Sequence, residues 1–345
     1  MGFINCHIHI FKDVDVPEKF LPLKLVRILS TKVGFTVIAK VLNWLNPFTT
    51  NDQFDRYVTF IKIGKLGSQK TIFENCKNQY PKGTKFVVLP MDMEFMGAGK
   101  VPRKYRDQLV ELSELSNKPD ADVISFIHID CRRENYFELF KEFIELFGFK
   151  GLKLYPPLGT FPYNERYSPI YKYCEENNIP VLAHCTAGNP VHWKGSHKEL
   201  VQLLRNCKLQ IDWSKKDSEL CSYFTHPEGY KYVLEAFPKL RVCLAHFGRE
   251  NEWDDVIKEM MTKYPNLYTD ISFSLYDTEH WGNLKVLLST NEQFRTHCLF
   301  GTDYYLLETQ STEKQYCINL RAYLDEELWN QISVTNPNKF LGIEK

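Results

Sequence analysis

The sequence lacks an excess of either charge: 43 Lys and Arg are matched by 43 Asp and Glu. No long-range field therefore draws it to nucleic acid or to an anionic membrane, and small molecules become the expected partners. It also lacks paired cysteines. Ten are scattered from Cys6 to Cys317 with no CxxC spacing, which excludes a zinc ribbon or a small disulfide framework and fits reduced thiols in the cytoplasm. Long apolar runs are missing too. The stretch from Phe20 to Leu45 is broken by Lys24, Arg27, Lys32 and Lys40, whereas a membrane span needs roughly 20 mainly apolar residues. It reads as amphipathic helix, with a lid or an oligomer contact as its expected role, so a homo-oligomer stays open. The opening Met1 to Ile10 shows no basic n-region, apolar h-region or small-residue cleavage site, so export is not expected. No repeat, low-complexity tract or linker-like shift interrupts the 345 residues, and one domain over 1–345 is expected.

What is there is an alternation of short β-branched and aromatic runs with longer helical segments, the pattern of βα units around a parallel sheet. Eight such runs occur: Phe3 to Ile10, Phe86 to Met91, Val123 to Ile129, Gly151 to Tyr155, Val181 to His184, Val242 to His246, Leu267 to Ile271 and Cys298 to Thr302. Eight parallel strands predict an α/β fold of the closed (β/α)8 TIM type, with an open doubly wound sheet as the alternative. Such a barrel takes about 250 residues, so roughly a hundred more must be insertions. The long connections 11–85 after the first strand and 185–241 after the fifth hold them, and both should lie over the C-terminal face, where barrel enzymes keep their sites.

The residue types that carry chemistry sit at strand ends. His7 and His9 are two apart on one strand, so their rings share a face and can share one metal; a pair of histidines bonded to backbone carbonyls is the plainer reading. His184, His246 and Asp303 close the fifth, sixth and eighth runs. Each alone reads equally as a core histidine or a helix N-cap. Together they would converge on one point of a barrel.

The opening Asn5-Cys6-His7-Ile8-His9, the segments Gly148 to Pro156, Ile179 to His184, Phe237 to Gly248 and Leu299 to Asp303, and the terminal Asn336 to Gly342 together resemble the amidohydrolase superfamily. The similarity is to the branch containing aminocarboxymuconate-semialdehyde decarboxylase and related lactonases. The resemblance implies that His7, His9, His184 and Asp303 bind one divalent metal, with His246 beside it. Zinc suits such donors and manganese is the alternative. It further implies that Asp303 is both ligand and proton acceptor and that His246 orients water or polarises a carbonyl. In some branches a carbamylated lysine on the fourth strand bridges two metals. Lys153 stands at that position, so bridging, substrate contact and plain packing all remain open for it.

Arg132, Arg133 and Arg249 follow strand ends and can recognise a carboxylate as bidentate forks, or simply be solvated. Tyr155, His192, Trp193 and Tyr304 follow strand ends and read equally as pocket aromatics or as packing residues, and Asp270 and Asp92 are candidate partners for ligands. The expected reaction is hydrolysis of a small lactone, ester or amide, since activated water is the more widespread use of this scaffold. Non-oxidative decarboxylation is the alternative the same ligands permit. A non-catalytic metal-binding protein is the reading of another class, which a metal assay with Asp303→Asn activity would separate.

Overall fold

The structure, a computed structural model, describes residues 2–20, 62–188, 191–248, 251–273, 278–305 and 311–343. Among these the β-rich runs form eight parallel strands: β1 (Ile4–Ile8), β2 (Lys85–Val88), β3 (Val123–His128), β4 (Gly151–Leu154), β5 (Val181–Ala183), β6 (Val242–Leu244), β7 (Leu267–Asp270) and β8 (Cys298–Leu299). They hydrogen-bond in sequence order. The circle is completed where the segment after β8 meets β1, through Cys6 N–H to Phe300 O at 2.8 Å, Asp303 N–H to His7 O at 2.8 Å and His9 N–H to Tyr304 O at 2.6 Å. The expected barrel is the fold.

Its interior is closed by side chains. Ile4, Cys6, Val87, Phe126, Leu182, Cys243 and Leu299 pack as one cluster, which Phe340 joins from the last helix, Asn336–Leu341. Gly151 is required opposite Phe126: a Cβ there would fall within 2.3 to 2.5 Å of the ring. On the outward faces Val88, Ile127 and Leu152 pack against helix residues such as Leu109, Leu112 and Phe140.

One irregularity sits in β1. Asn5 pairs with Phe86 and Ile8 with Val88, so β1 spends one residue more than β2 over the same span, which is a β-bulge. Before it, Ile4 and Cys6 point inward; after it, Ile8 joins the outer core while His7 and His9 face the interior. The bulge thus re-aims the strand just where it reaches the mouth.

The described parts of both insertions contain helices. After β1 come the 3-10 turn Asp13–Asp15 and the helix Gln69–Lys77. Phe20 is buried, and the rest of the Phe20 to Leu45 stretch lies outside the described residues. After β5 the helix His197–Leu204 starts on a Ser196–Glu199 capping box. Its Leu200 and Leu204 join Phe161, Leu220 and Phe224 in a satellite core. That core holds the insertion over the loop after β4, where Trp193 N–H donates to Pro157 O at 2.8 Å. No helix among the described residues is long and apolar enough to cross a membrane, and all ten cysteines are free thiols.

Candidate metal centre

At the C-terminal ends of β1 and β8, hydrogen bonding sorts the ring nitrogens. His7 Nδ1 lies 2.8 Å from Asp270 Oδ2 and His9 Nδ1 lies 2.7 Å from Leu89 O. Both partners only accept, so each Nδ1 carries the proton and each Nε2 presents a lone pair. Those lone pairs meet Asp303 Oδ1, which is 3.4 Å from His7 Nε2 and 3.2 Å from His9 Nε2. One ligand atom from each of the three residues lies within 4.8 Å of the others. His7 Nε2 and Asp303 Oδ1 are buried with no hydrogen-bond partner. An unsatisfied buried acceptor costs about 1–3 kcal/mol, and a cation is what three facing acceptors fit.

Asp270, on β7, organises the floor of this cluster. Its Oδ1 accepts from His246 N–H and Ser272 N–H, both at 3.0 Å, and from the Ser272 hydroxyl, leaving Oδ2 for His7. Burial opposes its charge, but His7, His246 and these donors outweigh it and hold the carboxyl well below the usual range. Asp303 is likewise held well below the usual carboxylate range, against the opposing effect of burial. Burial, and then Lys153, pulls His7 down to about 3, and burial also lowers His246. Neutral imidazoles around ionised carboxylates are the state that metal ligation needs.

His184 and His246 arrive from β5 and β6 as a pair. His246 Nδ1 is 2.8 Å from Ser272 O, so its Nε2 accepts from His184 Nδ1 at 3.0 Å. The His246 ring lies 5.0 Å from that of His7 and 4.6 Å from that of His184. His184 therefore borders the three-atom cluster by way of His246 and is not within it. His246 and Asp303 both adopt left-handed backbone, φ 72° and 63°, a conformation sparsely populated by residues other than glycine; such strain concentrates at functional sites.

The remaining sequence candidates divide. Lys153 is wholly buried, with Nζ lacking any hydrogen-bond partner, and burial pulls it to about 8 against the pull of Asp270 and Asp303. Tyr155 stacks on His184 at 4.2 Å. Arg132 is not an open fork: its Nε and one terminal nitrogen hold Asp130 at 2.9 and 2.6 Å, and the latter also donates to Leu158 O. Arg133 is bound to Asp92 and Glu94. Trp193 lies over Arg132, 5.9 Å from ring centre to guanidinium, while His192 turns its Nδ1 to the Trp193 carbonyl. Of its two readings Tyr304 takes the packing one: its hydroxyl takes a hydrogen bond from Asn75 and donates to Ile72 O on the outer helix Gln69–Lys77. Arg249 lies outside the described residues. The sequence reading passed over two residues. Ser272 had no signal, whereas His128 ends β3 as His184 and His246 follow β5 and β6, and that parallel was available.

A parallel barrel whose C-terminal rim gathers buried histidines and carboxylates is the architecture of a barrel enzyme. The amidohydrolase family model matches residues 84–343. The chain belongs to the amidohydrolase family. No curated protein matches, but solved structures do. A 5-carboxyvanillate decarboxylase from Novosphingobium aromaticivorans with bound manganese is 11% identical over 99% of this chain and 97% of its own, at a TM-score of 0.61. An amidohydrolase from Burkholderia multivorans with bound zinc is 9% identical over 99% of both chains, at 0.53. A probable 2-pyrone-4,6-dicarboxylic acid hydrolase from Acinetobacter baumannii with citric acid bound is 13% identical over 99% and 100%, at 0.51. At such identities the likeness is one of fold.

Proposed function

We propose that this chain is a cytoplasmic metal-dependent hydrolase acting on a small lactone, ester or amide, with one divalent ion, zinc in preference to manganese. The observation that carries the reading is the convergence of His7 Nε2, His9 Nε2 and Asp303 Oδ1, two of them buried acceptors without a partner. Zinc takes imidazole and carboxylate donors in this combination. His184 is the proposed fourth ligand, from the adjoining His184–His246 pair. When bound, such an ion acts as a Lewis acid and brings the pKa of a water to about 7.

The chain's own groups do the rest. Asp303, anionic and facing the cluster, is the proton acceptor. His246, whose Nδ1–H is fixed on Ser272 O and whose Nε2 accepts from His184, orients water or the substrate oxygen once His184 binds the ion instead. Lys153, Tyr155, Arg132 and Arg249 are the proposed substrate contacts; for Arg132 only the donors left over by Asp130 and Leu158 serve. Decarboxylation is the second reading, favoured by one observation: a buried ammonium without a hydrogen-bond partner at Lys153 suits a substrate carboxylate.

Metal analysis of the purified protein tests the centre. About one equivalent is expected in the wild type and none in the His7→Ala, His9→Ala double variant; full occupancy in that variant removes the basis of the assignment. Incorporation of 18O from labelled water into product, against release of CO2, separates the two reactions.

A further inference from the structure

His128 ends β3 facing the barrel interior, two residues beyond the interior Phe126. Its register partner on the neighbouring strand is Lys153. Both side chains are buried, His128 at 1% exposure and Lys153 at 0%. The backbone of His128 is held from outside: Tyr105 Oη donates to its carbonyl at 2.7 Å and accepts from its N–H at 3.0 Å. That bonding replaces the ladder that β2 stops providing after Val88, the partner of Ser125.

The ring chemistry of His128 is the reverse of that at His7 and His9. Its Nδ1 accepts the backbone N–H of Asp92 at 2.8 Å. A backbone N–H is an obligate donor, so Nδ1 must hold a lone pair and the ring proton must sit on Nε2. The two ring nitrogens point to nearly opposite sides of the imidazole. With Nδ1 tied to the wall at Asp92, Nε2–H is directed off the wall. His7 and His9 thus offer lone pairs to a cation, whereas His128 offers a hydrogen to an acceptor. Asp92 is itself locked by Arg133, through Nε at 2.9 Å and a terminal nitrogen at 2.8 Å, so the backbone that sets the tautomer is fixed.

We propose that His128 Nε2–H and Lys153 Nζ form a two-donor subsite for an oxygen anion of the substrate, a carboxylate or a developing oxyanion, beside the metal centre. This rests on the metal-centre reading for its place in the reaction but not for its donors, which belong to β3 and β4. Three features support it. Lys153 Nζ is buried with no hydrogen-bond partner, an unmet donor. Adjacent parallel strands lie about 4.8 Å apart, the spacing at which two register partners can share one carboxylate. Finally, burial keeps the His128 imidazole neutral, pulling it down to about 3, so it remains a donor fixed in direction without adding a second buried cation beside Lys153. Preorganised donors of this kind act most strongly on charge that develops during reaction.

The test uses the full-length, 15N-labelled protein in its metal-loaded form, with malonate as the probe and metal content measured on every sample. Multiple-bond 15N spectra are expected to show His128 as the Nε2–H tautomer from pH 5 to 9, with its Nε2–H resonance moving as malonate saturates. His128→Phe should weaken malonate binding at least tenfold, measured by calorimetry. His128→Gln, which returns an N–H near Nε2, should recover most of it, with metal content constant across both variants. A proton on Nδ1, a His128 resonance unmoved by saturating malonate, no malonate binding by the wild type, or wild-type binding by His128→Phe each overturns the subsite. Absence of metal from the wild type overturns the metal centre instead, and the wild-type spectra need no variant to fold.

Discussion

Replacing Asp270 by Asn changes one atom for another of nearly equal size and leaves the packing of β7 intact, so it isolates what the carboxylate does for the metal centre. Three donors, His246 N–H, Ser272 N–H and the Ser272 hydroxyl, converge on Oδ1, and His7 alone addresses Oδ2. An amide has a single oxygen. The three donors claim it, which leaves the NH2 facing His7 Nδ1 across the 2.8 Å now spanned by a hydrogen bond. Two donors cannot share that bond, so the His7 proton must move to Nε2, the atom that faces Asp303 and His9. Loss of a ligand's supporting partner ordinarily costs about 10- to 100-fold in metal affinity, or roughly 1.4–2.8 kcal/mol at about 1.4 kcal/mol per tenfold. Because the tautomer change also withdraws the lone pair, Asp270→Asn is expected at or beyond the upper figure. The metal-free protein should change little, since removing a buried charge offsets the lost charge-assisted hydrogen bond, worth about 1.5–3 kcal/mol. Competition against a buffered chelator, followed by metal analysis, measures the first effect; 15N spectra of His7 and the thermal midpoint of the metal-free protein measure the others. Metal affinity within threefold of wild type, or His7 still protonated on Nδ1, refutes the reasoning.

Asp303→Asn should abolish turnover beyond its loss of metal, because an amide takes no proton, whereas His246→Asn should keep its metal and lose about 10²-fold in rate; an empty site in the latter makes His246 a ligand, and metal content read beside kcat decides. Gly301→Ala should destabilise the barrel by about 1–3 kcal/mol, the usual cost of overpacking, since the new Cβ meets His7 Cβ at 2.8 Å and Ser272 Cβ at 3.3 Å; an unchanged denaturation midpoint counts against that contact. Lys153→Met should stabilise the metal-free protein at neutral pH. The folded pKa of Lys153, about 8, lies below its ordinary 10.5, so the unfolded chain binds the extra proton between those values and stability gains as pH rises through that window. The buried charge therefore costs up to about 3 kcal/mol below pH 8 at 1.36 kcal/mol per unit. The advantage of the methionine should fade from pH 8 to 10.5, and a pH-independent difference in urea midpoints refutes it.

The amino-acid sequence determined the eight βα units and therefore the barrel, because a strand buried on both faces needs a β-branched run that local composition shows directly. It determined the HxH pair for the same reason, since residues two apart on a strand share a face whatever the register. It even held the signal for His128, a histidine at a strand end like those after β5 and β6. What it could not hold was direction around each ring. Whether an imidazole offers a lone pair or a hydrogen depends on what its other nitrogen meets: the Asp270 carboxylate for His7 is 263 residues away, and the Asp92 N–H for His128 is 36 residues away. The arginines are a second instance. Arg132 and Arg133 read as carboxylate forks or as solvated side chains, and only the folded loops put Asp130, Asp92 and Glu94 against them. Tyr304 is a third, since one further residue along the chain from Asp303 carries the side chain through the wall to the outer helix. Residue types and their periodicity are local and legible in the chain; hydrogen-bond partners across a closed barrel are set by its curvature and register, and only the tertiary structure supplies them.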